Sequence, residues 1–373
     1  MCNSVTIEIN TLNEYISLIK EKKLSEYYFR GENKKYPTIS SSLLRRDTSS
    51  LLKDEKFSFY EDIVNHYYSE IASNIGEIER NNFLAFSQHH GLTTNLIDFT
   101  TSPLIALYFA CANKNDVLDK NTGFVYLINK EKTIDISKMI NEVFISPANS
   151  YSLIQTIIKN NNSFKAFVSY LNHFFWENSI LPYNQNLTEL SLRLSTMIND
   201  ESLPSFLKEY IKITDRISDI SEISDIFDYL PELISEYVSN FDMKIDATTL
   251  QVWRYIIMLY EYFNNVSYLA FSKPTEGIIE FPQMPYFIYK TPYKFDRIRN
   301  QDGIFIYQLY HTFATRYEDV PEEILRQEII PDVTIVINNQ KQILEELDFI
   351  GINLKSIYGD FDNIASYVNN KFF

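Results

Sequence analysis

Polar and apolar residues alternate from Val5 to Asn10, the period of a short half-buried strand. At Thr11 the period lengthens. Thr11 to Lys23 predicts a helix, with Thr11 as N-cap and Glu14 three residues on in a capping-box arrangement. Tyr27 to Gly31 predicts a short aromatic strand, and Ser40 to Arg46 a turn or short helical piece. From Phe57 to Ile75 the spacing is helical, with Phe57, Tyr60, Val64, Tyr67, Tyr68 and Ile71 near one face. Phe83 to His90 predicts a further helix, stopped by Gly91 at the C′ position. Ser102 and Pro103 then supply an N-cap and an N1 proline for a helix through Leu104 to Ala112. Gly123 to Asn129 is an unbroken apolar run of strand length.

The character changes at Tyr151. From there to Asn265 the pattern is almost wholly helical, with few turn signals and acidic clusters such as Ser218 to Glu236. Strand signals return at Gly277 to Phe281, Arg297 to Tyr310 and Val333 to Ile337, followed by helices at Asn339 to Leu347 and Asp360 to Asn370. The expected fold class is α+β: a mixed or antiparallel sheet built from both ends of the chain, interrupted by a helical insertion. The boundaries this suggests are 1–135 for the first part, 136–275 for the insertion and 276–373 for the last part.

Composition narrows the function. The chain has 373 residues, 45% of them apolar, so a sizeable core is possible, and scarce Gly (8) and Pro (12) argue against long low-complexity stretches. Its wealth of Ile, Asn, Lys, Tyr and Phe is what an AT-rich genome encodes, so we expect a bacterial source. The formal charge of −15 disfavours non-specific nucleic-acid binding, although a local basic pocket remains compatible with a nucleotide. Two cysteines, Cys2 and Cys111, are too few for a cysteine-built zinc site. No signal peptide is visible, and the longest apolar run, Leu104 to Ala112, falls short of the ~20 residues that span a bilayer. The expected location is therefore cytoplasmic, with no membrane association.

Candidate chemistry concentrates in three places. Gln88 to Thr100 crowds an amide, two histidines, a glycine, threonines and an aspartate directly before an apolar run. His89 is a candidate acid/base and Asp98 a group to orient it, while Gln88, Thr94 and Thr100 can line a polar pocket. Upstream, Arg30 and Glu32 flank Gly31, where a guanidinium can offer a planar fork to phosphate or carboxylate. Downstream, a strand through Arg297, Arg299 and Gln301 would present them on one face, a small basic patch suited to an anionic ligand. Each cluster also fits a purely structural role: Arg30 paired with Glu32 or Asp98, the loop residues satisfying their own backbone, and the arginines on a solvated face. Adjacent His89 and His90 lack metal-ligand spacing, so no metal is expected, and GxGxxG, P-loop and GxSxG signatures are all missing.

With these residues in place, the chain resembles the FRG-domain family, named for a Phe-Arg-Gly motif. Phe29-Arg30-Gly31 matches that motif, and Ser42-Leu43 with Arg45 or Arg46 resembles the element that follows it. Gln88 to Thr100 resembles the family's Gln-His-Tyr-Gly-Leu-Pro-Thr-Arg-Leu-Leu-Asp-Trp-Thr block, with His90, Thr93 and Asn95 as departures. Ser102-Pro103-Leu104 and Ala106 to Ala110 continue it, and Arg297-Ile298, Gln301, Gly303 and Phe305 resemble a late element. Asn95 replaces a charge, which weakens any phosphate role there.

The resemblance implies an intracellular microbial protein, in some members a defence one, without fixing an activity. The order Arg30, Thr100 to Ser102, Gln301 is similar to that of the Arg, Ser/Thr and Glu strands of ADP-ribosyltransferase-like folds, with Gln301 in place of the late Glu. Two expectations follow. One is an enzyme, toxin-like or defensive, acting on a nucleotide by NAD-type glycosyl transfer or hydrolysis. Its catalytic residues would be His89, Asp98 and Gln301, and its ligand-binding residues Arg30, Glu32, Arg46, Gln88, Thr94, Thr100 and Arg297. The other is a non-catalytic module that senses a small anionic ligand. Neither expectation names a cofactor or a protein partner.

Overall fold

Strands from both ends of the chain make one sheet in the computed structural model, which describes residues 5–22, 24–45, 59–112, 122–137, 281, 284–292, 296–314 and 322–372. The early strands are β1 (Val5–Ile9), β2 (Tyr27–Glu32), β3 (Leu96–Thr100), β4 (Gly123–Asn129) and β5 (Thr133–Asp135). The late ones are β6 (Tyr286–Tyr289), β7 (Gly303–Tyr307), β8 (Tyr310–Ala314), β9 (Glu322–Arg326) and β10 (Val333–Ile337). Eight of them run in the order β1-β10-β4-β2-β3-β7-β6-β5, while β8 and β9 pair separately. The outer pairs β1/β10 and β5/β6 are parallel and the inner pairings antiparallel. The fold is thus α+β with a mixed sheet.

The helices are α1 (Leu12–Glu21), α2 (Phe59–Ile71), α3 (Glu77–Asn81), α4 (Phe83–His89), α5 (Pro103–Cys111), α6 (Asp296–Asn300), α7 (Gln340–Phe349), α8 (Leu354–Tyr358) and α9 (Phe361–Phe372). Thr11 caps α1 through the reciprocal capping box with Glu14 that its spacing predicts. His90 caps α4, and Gly91 follows at φ +89°, a left-handed turn that glycine adopts without strain. No described helix is long and apolar enough to cross a membrane.

Strand alternation divides the core in two. On one face Phe29, Val125, Leu127, Ile335 and Ile337 pack with Tyr15, Leu107, Ile343, Leu347 and Ile357 from α1, α5, α7 and α8. On the other, Tyr28, Ile97, Phe99, Tyr126, Ile128, Ile304 and Ile306 cluster with Ile39 and Ile329. Helix α5 is apolar nearly all round, as expected of a helix enclosed by protein. It lies directly against β2 and β4. A Cβ on Gly31 would stand 1.8 Å from the Ala106 carbonyl oxygen, and one on Gly123 would stand 2.2 Å from that of Ala110. The Phe-Arg-Gly run therefore serves three constraints in succession. Phe29 fills the helix-side core, Arg30 turns to the opposite face, and Gly31 admits α5.

One predicted strand is corrected. The sequence suggested a single strand from Arg297 to Tyr310, with Arg297, Arg299 and Gln301 on one face. Asp296–Asn300 is instead helical, buries Ile298, and ends where Asp302 takes φ +44°. Only at Gly303 does the strand begin. The helical turn sets Arg297 and Gln301 four residues apart along one helix face, closed by a hydrogen bond from the Gln301 N–H to the Arg297 carbonyl at 3.0 Å. Strands β5 and β6 were not anticipated, being only three and four residues long. The helical reading of 151–265 and the strand expected from 277 lie outside the described residues, apart from Phe281.

Gly31→Ala is expected to destabilise the protein by roughly 3 kcal/mol, the upper end for overpacking, because its neighbours are main-chain atoms of α5. Urea unfolding of the variant and the parent checks this. A difference within about 0.5 kcal/mol, the scale of an ordinary surface substitution, would show that α5 can move away.

Candidate functional site

Side chains at Leu96, Asp98 and Thr100 point to the helix side of β3, because Ile97 and Phe99 join the opposite cluster. Thr94, fully buried just before the strand, begins a chain of hydrogen bonds to Asp98. Its N–H donates to Ser42 Oγ at 3.1 Å, and its carbonyl accepts from the Leu43 N–H at 3.0 Å. The Thr94 hydroxyl accepts from the Leu96 N–H at 3.2 Å, which leaves its own proton to donate to Gln88 Oε1. With that oxygen engaged, the Gln88 amide nitrogen donates to Asp98 Oδ1 at 3.1 Å. Ser42, Thr94 and Gln88 thus hold one exposed carboxylate in a fixed orientation.

Arg30 reaches Asp98 from the other side of the strand. Its Nη1 donates to the Asp98 main-chain carbonyl at 2.7 Å and its Nε to Glu32 Oε1 at 2.9 Å. The Arg30–Glu32 ion pair is largely buried. Beside it, burial and then the Glu32 carboxylate push the Tyr126 hydroxyl up to about 12. Asp98 is therefore held through its side chain by Gln88 and through its backbone by Arg30. The Arg30 and Asp98 side chains nevertheless issue from opposite faces of the sheet.

At the end of α4, His89 lies within electrostatic range of Arg297 and Asp360. Partial burial, then His90, then Arg297 hold the His89 imidazole below its ordinary value, and Asp360 offsets only part of this. Arg297, exposed at the start of α6, sits over the Tyr358 ring with its guanidinium carbon 5.3 Å from the centroid. Gln301 is tethered by its amide nitrogen to the Ile357 carbonyl at 3.4 Å. The Gln301 main-chain carbonyl accepts from Thr100 Oγ1 at 2.7 Å, and the same oxygen atom of Thr100 accepts from the Ser102 N–H at 2.9 Å. Thr100 thereby joins β3, α6 and α5.

The structure accordingly brings Gln88, Thr94 and Asp98 into one network, and His89 and Arg297 into one neighbourhood at the adjoining end of α4. It places Arg30 and Glu32 across the sheet from the Asp98 carboxylate. Arg46 lies outside the described residues. Sequence reading passed over Ser42 as an anchor, together with Tyr358 and Asp360. Gly359 between the last two, left-handed at φ +72°, was the available sign that the chain turns there. Asn95, the departure that had lowered a phosphate role, is fully buried and donates to the Gln308 carbonyl at 3.1 Å. Among the described residues no His, Cys, Asp and Glu cluster could hold a metal ion.

Residues 25–118 match the family model for the FRG domain, a stretch containing β2, α4, β3 and α5. No curated protein and no solved structure matches the chain.

The depressed His89 value fixes the sign of a pH effect. The unfolded chain takes up this proton more readily than the folded one, so the stability due to neutral His89 is complete above pH 6.5 and is lost as the pH falls below it. Melting curves at pH 7.5 and pH 5 should show a smaller acid-induced drop for His89→Gln than for the parent. Equal drops would show that His89 titrates as it does in the unfolded chain.

Proposed function

The chain carries an FRG domain over residues 25–118, and on that footing we propose that it is an enzyme acting at the glycosidic bond of an anionic nucleotide, with NAD as the substrate to test first. The reading rests above all on the end of α4, where a positioned carboxylate, an imidazole biased to its neutral form and an arginine come from three separate segments. Departure of nicotinamide from C1′ leaves positive charge on the sugar, which a fixed carboxylate such as Asp98 stabilises. The leaving group departs neutral and needs no acid. Water then adds at C1′ and gives its proton to His89, whose surroundings bias it to the neutral, proton-accepting form. Arg297 is the residue to hold a phosphate, and the tethered Gln301 amide keeps its carbonyl oxygen for a sugar hydroxyl.

A second reading is favoured by one observation. Position 301 carries an amide where a glycosyl-transferring site of the kind the sequence suggested has a carboxylate, which suits a module that binds the nucleotide without consuming it. A defence or toxin-like setting belongs to the first reading, since NAD consumption would arrest growth when the protein is expressed.

Purified protein incubated with NAD should release nicotinamide. Asp98→Asn and His89→Gln should each lower the rate about 100-fold or more, at unchanged circular dichroism. Turnover by the parent no faster than by Asp98→Asn would remove the enzymatic reading for NAD. A rise in melting temperature with NAD, without nicotinamide release, would select the binding module.

A further inference from the structure

The sheet is split beside Arg30. β2 exchanges six register pairs with β4, from Tyr27 with Asn129 to Glu32 with Phe124, and β3 exchanges five with β7. Between β2 and β3 there is one pair, Phe29 with Thr100. Were the ladder continued, Gly31 would stand opposite Asp98. Instead the Asp98 carbonyl is taken by the Arg30 guanidinium at 2.7 Å, and the strands part around a side chain. The same guanidinium binds Glu32 Oε1 at 2.9 Å. The other carboxylate oxygen, Glu32 Oε2, is buried and has no hydrogen-bond partner. An unused acceptor on a buried carboxylate is costly, since burial removes the water that would otherwise serve it. Arg30 keeps the more exposed part of the pair, its side chain being 14% accessible against 5% for Glu32.

We propose that this seam is a second binding site, separate from the Asp98 and His89 side chains and on the opposite face of the sheet, and that it takes the primary carboxamide of a planar ring. The pair is neutral overall and offers one acceptor, Glu32 Oε2, beside the accessible edge of a donor, the Arg30 guanidinium. A primary amide is the neutral group whose N–H and C=O lie side by side in the matching order. A carboxylate has no N–H to give and meets the Glu32 charge, and an ammonium meets Arg30. The neighbouring strand supplies a surface for the ring. On β4, Tyr126 lies opposite Arg30 and Phe124 opposite Glu32, and their rings are stacked nearly parallel, 9° between planes with centroids 6.1 Å apart. Phe124 is only partly buried, so this stacked pair leaves aromatic surface for an incoming ring to extend.

Benzamide, benzoate and N,N-dimethylbenzamide separate the elements of this proposal, with binding read by calorimetry and ligand-observed NMR. Benzamide should bind the parent protein at least tenfold more tightly than benzoate, which keeps the ring but loses the N–H. The same margin should hold over N,N-dimethylbenzamide, which keeps the carbonyl and neutrality but loses the donor. Glu32→Gln should abolish the preference for benzamide over its dimethyl analogue. The proposal fails if the parent binds none of the three, if it binds all three alike, or if folded Glu32→Gln keeps the preference. The comparison of probes on the parent protein decides even if Glu32→Gln does not fold, and no outcome depends on NAD turnover.

Discussion

Arg30 stands where two central strands would otherwise exchange main-chain hydrogen bonds, and much of the site is arranged around that substitution. Its guanidinium bridges β2 and β3 by binding the Asp98 carbonyl, and it neutralises Glu32 in a place with little water. Removing one partner of such a pair leaves an uncompensated buried charge, at a cost of about 3–5 kcal/mol. The residues on either side are constrained as tightly. Phe29 is 1% exposed, and Gly31 touches the α5 backbone. Motif and fold are here one constraint: the arginine can occupy the seam only because its two neighbours lock the strand that carries it.

Much of the fold was legible because its signals are local. The Thr11–Glu14 box, the Gly91 stop, the Gly123–Asn129 strand and the Val333–Ile337 strand all stand where patterning put them. The α6 error has a physical cause. Five residues containing two arginines and one buried isoleucine fit either period, and only the turn at Asp302 with the docking of Ile298 decides between them. The candidate residues could be listed from the sequence, but their arrangement could not. Nothing local indicates that Ser42 positions Thr94, or that Thr94 fixes the Gln88 amide. The apposition of His89 and Arg297 joins segments more than two hundred residues apart. Of the two pairings weighed for Arg30, the ion pair with Glu32 is present as expected, and Asp98 takes part through its main-chain carbonyl in place of its carboxylate.

Charge bears on the site in a similar way. A chain of formal charge −15 presents at the end of α4 an arginine, Arg297, resting on an aromatic ring and flanked by an imidazole that its surroundings keep neutral. For an anion approaching that end of α4, local donors oppose the repulsion of the whole surface. Near Arg297 the field is set mainly by such close groups, since surface charges farther away than a Debye length of about 10 Å are screened.

The order of strands also governs when the sheet can exist. β2, β3 and β4 all lie within the first 129 residues and adjoin one another in the sheet. The strands that cover their flanks, β7 against β3 and β10 against β4, arrive only after residue 302. A ribosome moving from the amino to the carboxyl end therefore makes the centre of the sheet long before its borders. Through that interval the apolar strands β3 and β4 have open edges able to pair with other chains. β1, whose partner β10 is the last of the described strands, has no partner in the sheet until β10 is made. Completion of the sheet consequently waits for residues 303–337, and assistance that shields strand edges would matter most while residues 130–302 are being added.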